Sequence, residues 1–155
     1  MKFSTKEDVE APIDFVFDAV SDFQSFERAA LRRGAEVQRV DTLQSAGIGL
    51  TWEAQFKFRG RKREIRIEVT QFERPNSLGC VFETQLLSGT LDVDLVALSR
   101  NRTRLSLDAA FSPRNLTARL LVQSLKLARS GMEKKFRFRV AHFAKELEER
   151  HKRVV

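Results

Sequence analysis

The sequence predicts an α+β fold in which a curved, seven-stranded antiparallel sheet wraps one long C-terminal helix, with two short helices after the first strand. Three observations predict this architecture. Apolar and polar residues alternate in seven segments between residues 2 and 109, and a period of two is typical of strands with one buried face. Two short helix-like segments separate the first strand from the others. Towards the C-terminus the apolar spacing changes to three and four, the period of one helix face.

The composition fits one globular domain that spans residues 1–155. A chain of 155 residues with 42% hydrophobic residues buries roughly 70% of its unfolded surface, which is enough for a hydrophobic core. Cys80 is the only cysteine, so an internal disulfide is excluded and a reducing compartment fits best. The sequence has neither a signal-like apolar segment nor an apolar run long enough to cross a bilayer. We therefore expect a cytoplasmic protein.

The first strand and the two short helices have clear boundary signals. Pro12 begins the first helix, because its missing N–H costs nothing in the first helical turn. Asp22 caps a second helix, which runs to about Arg33 and ends at Gly34, a residue that tolerates positive φ. In the strand before them, one face is made by Phe3, Thr5, Glu7 and Val9.

Six further strands follow from residue 36 onward, and each has one apolar face. The clearest is the segment 50–58, where Leu50, Trp52, Ala54, Phe56 and Phe58 share a face. The connections are short enough for antiparallel hairpins, and they include Arg59–Arg63, Pro75–Ser77 and Ser88–Gly89. A register slip of one residue would expose the apolar face, so the pattern fixes which side chains point inward.

The last segment predicts a long amphipathic helix. Ser112 and Pro113 make a good helix start, and the helix would be about 55 Å long if unbroken to about Arg150, at 1.5 Å per residue. Ser130 and Gly131 are the expected site of any bend. The apolar face consists of Leu121, Leu125, Ala128, Met132, Phe136, Val140, Phe143 and Leu147.

This element order is that of the helix-grip fold, and the chain resembles the START-like superfamily of polyketide cyclases/dehydrases and lipid transport proteins (SRPBCC). The resemblance covers nearly the whole chain. It is carried by Val9–Phe17 with Asp22 following, by Gly47–Trp52, by Arg74–Leu78 and by the terminal helix. It implies an apolar cavity between sheet and helix, in a superfamily whose members bind lipids, sterols, quinones or polyketides and include some cyclases. Such a resemblance defines architecture better than function.

The inward strand residues and the facing side of the helix would line such a cavity. Concave apolar sites of this kind are the usual place for small ligands. The competing interpretation is a solid core, because apolar stripes most often serve packing. The predicted ligand-binding residues are Trp52, Phe56, Phe82, Leu91, Val93, Leu105, Leu107, Met132, Phe136 and Val140.

Catalysis has little support in the sequence. There is no Tyr, and we expect His142 and His151 to be solvated. Glu7 is the one weak catalytic candidate, because a carboxylate facing an apolar interior can act as acid or base. The favoured interpretation is a strand-end Glu that pairs with Arg or Lys or reaches solvent. The other inward polar candidates are Thr5, Thr84 and Thr103. We predict no metal site and no cofactor, since two distant histidines and one cysteine supply no ligand cluster.

Basic residues gather where alternate hairpin connections share one end of the sheet. In the resembling folds this end surrounds the cavity mouth, where the basic rim would attract an anionic ligand head or make transient contact with an anionic membrane. Charge that serves only solubility is the alternative, since Arg74, Arg100 and Arg102 make the other end basic too. The predicted rim comprises Arg32, Arg33, Arg59, Arg61, Lys62, Arg63 and Arg114.

The leading hypothesis is therefore the binding of a hydrophobic or amphipathic small molecule, lipid-, quinone- or polyketide-like, without catalysis. The runner-up is a cyclase/dehydratase-type enzyme acting on an aromatic or polyketide-like substrate, with Glu7 or an ordered water transferring a proton. A third hypothesis, an RNA- or ribosome-associated basic protein, is motivated by the net charge of +7. It is weakened because the phenylalanines fall mainly on buried faces, where they cannot stack on bases. The sequence makes no prediction of oligomeric state.

Overall fold

The computed structural model describes all residues from Met1 to Val155. Seven strands form a single antiparallel sheet in the order β1-β7-β6-β5-β4-β3-β2. The first strand therefore pairs with the last, and β2 is the opposite edge. The fold class predicted from the alternation is confirmed. The strands are β1 Lys2–Val9, β2 Glu36–Arg39, β3 Thr51–Phe58, β4 Arg61–Glu73, β5 Ser77–Glu83, β6 Leu87–Ser99 and β7 Arg102–Pro113.

The two short helices after β1 are also confirmed, as α1 Ile13–Val20 and α2 Phe23–Arg32. The Asp22 carboxylate accepts from the Ser25 backbone N–H at 3.3 Å and from the Ser25 hydroxyl at 2.7 Å. This is the predicted N-cap, and these hydrogen bonds lower the pKa of Asp22. Gly34 follows α2 with a φ of +90°, a conformation that glycine adopts without a steric penalty.

The C-terminal helix differs from the prediction because it is two helices, α3 Leu116–Leu127 and α4 Arg129–Val154. Pro113 does not start it. That residue ends β7, where it pairs with Leu87, and the helix is capped instead by Asn115, whose side chain accepts from the Ala118 N–H at 2.8 Å. The break lies at Ala128, at φ −99° and ψ 9°, two residues before the predicted bend. With 26 residues, α4 is about 39 Å long.

Helix α4 runs alongside β1 in the same direction. At its start, Arg129 donates from Nη2 to the Lys2 carbonyl at 3.0 Å. Further along, the ring of Phe136 lies 5.9 Å from the ring of Phe3. Near its end, Oε1 of Glu148 accepts from the Glu10 backbone N–H at 3.0 Å.

None of the helices has the length and apolar character that crossing a membrane requires.

The buried core lies at one end of the concave face of the sheet, where α1 and the second half of α4 cover the strands. Phe17 and Leu147 have no exposed surface there. The Thr103 hydroxyl is also fully buried, and it donates to the Ala11 carbonyl at 2.9 Å. This packed end consists of Val9, Ala11, Val16, Phe17, Val20, Leu50, Trp52, Val69, Leu78, Leu95, Leu105, Val140, Ala144 and Leu147.

Candidate ligand-binding site on the concave face

Cross-strand pairing places all seven predicted strand residues on the concave face. Side chains directly opposite one another on neighbouring strands point to the same side of a sheet. One row runs from Trp52 through Ile67 to Phe82. A second row runs from Cys80 through Leu91 to Ala109, and a third runs from Leu78 through Val93 to Leu107. The two remaining predicted residues are each directly opposite one residue of this face. Leu105 lies opposite Leu95, and Phe56 lies opposite Arg63.

The predicted binding residues nevertheless divide into two groups. Trp52, Leu105 and Val140 belong to the packed end, with Val93, Leu107 and Phe136 packed against it. The others are half-buried and lie outside this core. Together with one neighbour, Ile65, they form what we call the apolar strip. It consists of Phe56, Ile65, Phe82, Leu91 and Met132.

The centre of the apolar strip depends on Gly89, a residue the sequence pattern assigned to a turn. Gly89 lies inside β6 and faces Phe82, and the connection before β6 is residues 84–86. A Cβ atom at Gly89 would lie 2.3 Å from Cζ of Phe82 and 2.3 Å from the Ala110 carbonyl oxygen. The Phe82 ring therefore lies over Gly89, in space that any larger residue would occupy.

Trp52 is covered by α2 rather than open to a ligand. Its indole Nε1 donates to Oε1 of Glu27 at 2.7 Å, and the ring of Phe23 meets it edge-on with the ring centroids 5.2 Å apart. Glu27 could not be identified from the sequence, because only the tertiary structure brings α2 over β3. The arrangement satisfies the one polar group of a buried indole.

The polar candidates on the concave face form no catalytic set. Glu7 faces inward opposite Leu105, and its carboxylate has no ion-pair partner within 4.0 Å. Thr103 is held by Ala11. Thr84 lies in the β5–β6 turn, where its hydroxyl oxygen accepts from the Leu87 N–H at 2.9 Å. Thr5 is half-buried on β1. No nucleophile, base and orienting group lie together as a triad would require.

The histidines and the cysteine add no such set. His142 is exposed beside Glu146. His151 is less exposed than predicted, since it is half-buried against Phe15 with the ring centroids 5.0 Å apart. Cys80 lies beside Leu91, and burial together with the nearby Asp92 raises the pKa of its thiol to about 11. No three His, Cys, Asp or Glu side chains are grouped as metal ligands.

The basic residues at the strip end of the sheet are mostly without acidic partners. Arg114 is the exception, since it contacts Glu83 at 2.6 Å and donates to the Thr84 carbonyl. Arg59 lies in the β3–β4 turn, with its guanidinium carbon 5.4 Å from the centroid of the Phe58 ring. No carboxylate lies within 4.0 Å of Arg32, Arg33, Arg59, Arg61, Lys62 or Arg63.

The opposite end of the sheet has a different charge balance. Arg74 pairs with Asp18 at 2.7 Å, and Arg102 pairs with Glu10 at 3.1 Å. Arg100 has no carboxylate within 4.0 Å. Two of the three basic residues named at this end are therefore paired, whereas Arg114 alone of the predicted rim is paired beside the apolar strip.

Two clefts lie at the margin of the sheet, the first beside the apolar strip and the second beside the packed end. One, of about 290 Å³, brings Arg33 of α2 together with Lys62 of β4; its lining is Arg33, Gly34, Glu36, Gln55, Phe56, Lys57 and Lys62. The other, of about 310 Å³, lies between the start of α2 and the β2–β3 connection and includes Leu43 and Arg39. Both linings are mainly polar, and Phe56 is the only residue of the apolar strip in either.

Asp41 holds the β2–β3 connection against β3. Its carboxylate accepts from the Thr51 N–H at 2.8 Å and the Leu43 N–H at 2.9 Å. Arg39 donates to both of its oxygens, at 2.8 and 2.7 Å. The Arg39 hydrogen bonds, followed by those from the backbone, hold the pKa of Asp41 well below its usual range.

Comparison with known proteins gives one family match along almost the whole chain. The family described as polyketide cyclase/dehydrase and lipid transport matches residues 1–148. No curated protein matches the chain.

Solved structures share the fold at low sequence identity. The ZhuI aromatase/cyclase of Streptomyces sp. R1128 is 14% identical with a TM-score of 0.66, covering 100% of this chain and 96% of its own. A protein of Thermus thermophilus is 17% identical with a TM-score of 0.63, and the match covers 99% of both chains. A START superfamily protein of Mycobacterium smegmatis is 14% identical with a TM-score of 0.61, again over 99% of both. These likenesses show the helix-grip fold.

Proposed function

The chain belongs to the polyketide cyclase/dehydrase and lipid transport family, and from this premise we propose that it binds a hydrophobic or amphipathic small molecule between the sheet and α4. The ligand is lipid-, quinone- or polyketide-like, and its apolar part contacts the apolar strip. A cytoplasmic location is part of the proposal, and the free thiol of Cys80 is consistent with a reducing compartment.

One observation carries the proposal. Apolar residues on the concave face are almost fully buried at the packed end and only half-buried at the strip, although they have the same orientation. Leaving a row of large apolar side chains partly in water is unfavourable by roughly 25 cal/mol for each Å² left exposed. A ligand that covers the row recovers this free energy, which is the usual basis of binding in apolar sites.

The unpaired basic residues at the same end support an amphipathic ligand over a purely apolar one. They lie at the end of α2 and around the β3–β4 turn, beside Phe56 of the strip. Their field attracts an anionic head group. Such attraction between exposed charges is salt-sensitive.

The test compares two neighbouring residues on opposite faces of β5. Phe82 belongs to the apolar strip, and Val81 is 39% exposed on the other face. Nile red, an uncharged apolar dye, should bind the wild type and the Val81→Ser control alike and should bind Phe82→Ser at least several-fold more weakly. Native mass spectrometry of freshly purified protein, followed by organic extraction, identifies what co-purifies. Equal dye binding by all three proteins and no co-purifying molecule would contradict the proposal.

An enzyme remains the second candidate function, and a specific observation favours it. The Glu7 carboxylate faces the concave side without an ion-pair partner, so it is free to accept a proton from a bound substrate. Glu7→Gln should then abolish turnover of a polyketide-like substrate while leaving its affinity unchanged. Equal turnover by both proteins would exclude this role.

Association with RNA or ribosomes stays a third hypothesis. Phe58 is 46% exposed beside the unpaired basic residues, but a single ring provides a small platform for base stacking. Salt-dependent retention of the protein on ribosomes, lost when Arg61, Lys62 and Arg63 are reversed in charge, would favour this hypothesis over ligand binding.

A further inference from the structure

Arg63 lies on the concave face, inside the rim to which the sequence assigned it. It pairs across the strands with Phe56 and lies two residues before Ile65, so its neighbours on this face belong to the apolar strip. Its Nε atom is buried and makes no hydrogen bond. Its guanidinium also has no carboxylate within 4.0 Å.

No other buried side-chain nitrogen or oxygen atom of the molecule lacks a hydrogen-bond partner. Arg39, which also faces the concave side, is paired with Asp41 through two hydrogen bonds. Arg66, on the outer face of the same strand, contacts Glu53 at 2.9 Å. A buried N–H without an acceptor is destabilising, and native structures rarely retain one without a compensating partner. Arg63 has its side chain on an apolar surface and no such partner in the chain.

We propose that Arg63 binds the oxyanion head group, carboxylate or phosphate, of an amphipathic ligand whose apolar part contacts the apolar strip. This inference rests on the proposed function and names the chemical class of the ligand. The planar guanidinium can donate two parallel hydrogen bonds to a carboxylate or phosphate, an arrangement that lysine cannot reproduce. The Nε–H of Arg63 then gains the acceptor that it lacks.

The experiment uses three probes with the same twelve-carbon chain, which are dodecanoate, dodecyl phosphate and dodecanol. Affinities are measured by displacement of Nile red at pH 7.5, where both acids are ionised. The wild type should bind the two anions about 10- to 100-fold more tightly than the alcohol, as expected for charge-assisted hydrogen bonds. A preference for one anion over the other shows which head group the site accepts.

Substitution assigns this preference to Arg63. Arg63→Met, which replaces the apolar stem and removes the guanidinium, should weaken binding of the anions to the level of dodecanol and leave dodecanol binding within about twofold of wild type. Arg63→Lys should restore only part of the preference. Arg66→Met on the outer face is the matched control and should bind all three probes like the wild type.

The outcomes separate this inference from the proposed function. If the wild type binds all three probes with equal affinity, the role of Arg63 is overturned and apolar binding stands. If the wild type binds none of them, the proposed function itself fails. The wild-type preference for anions can be measured without any variant, so a folding defect in Arg63→Met would not leave the inference untested.

A second inference rests on a separate surface, the outer face of α3. Leu116, Leu120 and Leu127 are 76%, 70% and 92% exposed, and their spacing of four and seven residues places them on one side of the helix. The opposite side is buried through Ala118 and Val122. Large leucines that are this exposed on one helix face mark an interaction surface.

The charge of the surrounding segment indicates the partner. Residues 109–132 contain no Asp or Glu, and their basic residues are Arg114, Arg119, Lys126 and Arg129. An exposed apolar helix face between cations is the pattern of helices that lie in the surface of an anionic bilayer. A second copy of the chain would place like charges together.

We infer that α3 docks on an anionic phospholipid bilayer through Leu116, Leu120 and Leu127. Flotation with phosphatidylcholine vesicles containing about 30% phosphatidylglycerol should recover the wild type, and recovery should fall several-fold in about 0.5 M NaCl or without phosphatidylglycerol. The triple variant Leu116→Ser, Leu120→Ser, Leu127→Ser should lose most of the binding. Val96→Ser, which alters an apolar residue that is 54% exposed on the sheet, is the control.

Two results would overturn this docking surface. One is equal flotation of the wild type and the triple variant. The other is a wild type that dimerises in solution without binding vesicles, with the triple variant monomeric, since this would assign the leucines to contact between copies of the chain.

Discussion

The two ends of the concave face are built from the same kinds of residues but differ in what covers them. On β6, Leu95 is 2% exposed, whereas Leu91, four residues earlier on the same face, is half-buried. On β4, Val69 is 1% exposed and Ile65 is half-buried. Helix α1 and the second half of α4 close over the packed end. Alternation along a strand therefore predicts which face of the sheet a side chain lies on. It does not predict whether a helix packs over that side chain and buries it.

The largest expected effect comes from truncating the same residue type at both ends. Leu95→Ala should lower the free energy of unfolding by about 2–5 kcal/mol, because it leaves a cavity in a packed core. Leu91→Ala should cost less than about 2 kcal/mol, since part of its side chain is already in water. Urea denaturation of both variants measures the difference. Equal losses would mean that the strip is as tightly packed as the core.

The next effect concerns the glycine beneath Phe82. Gly89→Ala should lower the free energy of unfolding by about 1–3 kcal/mol, because the added methyl group overlaps the Phe82 ring and the Ala110 carbonyl oxygen. It should also weaken Nile red binding by displacing the ring. Gly131→Ala is the control, since a Cβ atom there would meet no atom within 4 Å. An unaffected Gly89→Ala variant would show that the Phe82 ring does not need this space.

A smaller effect should depend on pH at the β2–β3 connection next to the packed end. The lowered pKa of Asp41 means that its ionised form stabilises the fold. This contribution is complete above the unfolded pKa of about 3.9 and is lost as the pH falls towards the folded value. Asp41→Asn should be less stable than the wild type at pH 7, and the gap should narrow below about pH 4. A gap in the melting temperatures that is constant from pH 7 to pH 3 would contradict this role.

The last prediction concerns the reactivity of Cys80, which lies beside Leu91 of the apolar strip, and it involves no change in stability. With a thiol pKa of about 11, Cys80 should react with Ellman's reagent at pH 8 about 100-fold more slowly than an ordinary thiol, because less thiolate is present. The rate should rise with pH towards that value and increase in proportion to reagent concentration. A rate independent of reagent concentration would mean that Cys80 reacts only after the protein opens, as in a packed core.

Much of the fold could be predicted because its signals are local. Strand alternation placed Phe82 and Leu91 on the concave face, and the capping preference of Asp22 placed the start of α2. The break at Ala128 was missed, because alanine is a good helix former and the helix-weakening residues lie two and three positions later. Pro113 was misassigned because proline suits both the first turn of a helix and a strand position that needs no N–H donor, as here beyond the pairing of β7 with β1.

The site was less predictable than the fold because it depends on tertiary contacts. Nothing in the local sequence brings Glu27 to the indole of Trp52, or shows that Gly89 lies beneath the ring of Phe82. Arg63 could be placed on the concave face from the sequence, because it lies two and four residues before Ile65 and Ile67 on the same strand. Its lack of an acidic partner became apparent only when every neighbouring strand and helix was in place.

The pairing of β1 with β7 also sets the order in which the domain can form. Lys2 pairs with Ala110 and Val9 with Thr103. Strand β1 is synthesised first of the seven strands, and it cannot pair until β7, the last, has been synthesised. The packed end forms later still, because its core includes Val140, Ala144 and Leu147 of α4. Such distant contacts are typical of domains that fold in milliseconds to seconds rather than microseconds. Folding of the domain is thus completed only after nearly all of these residues have been made.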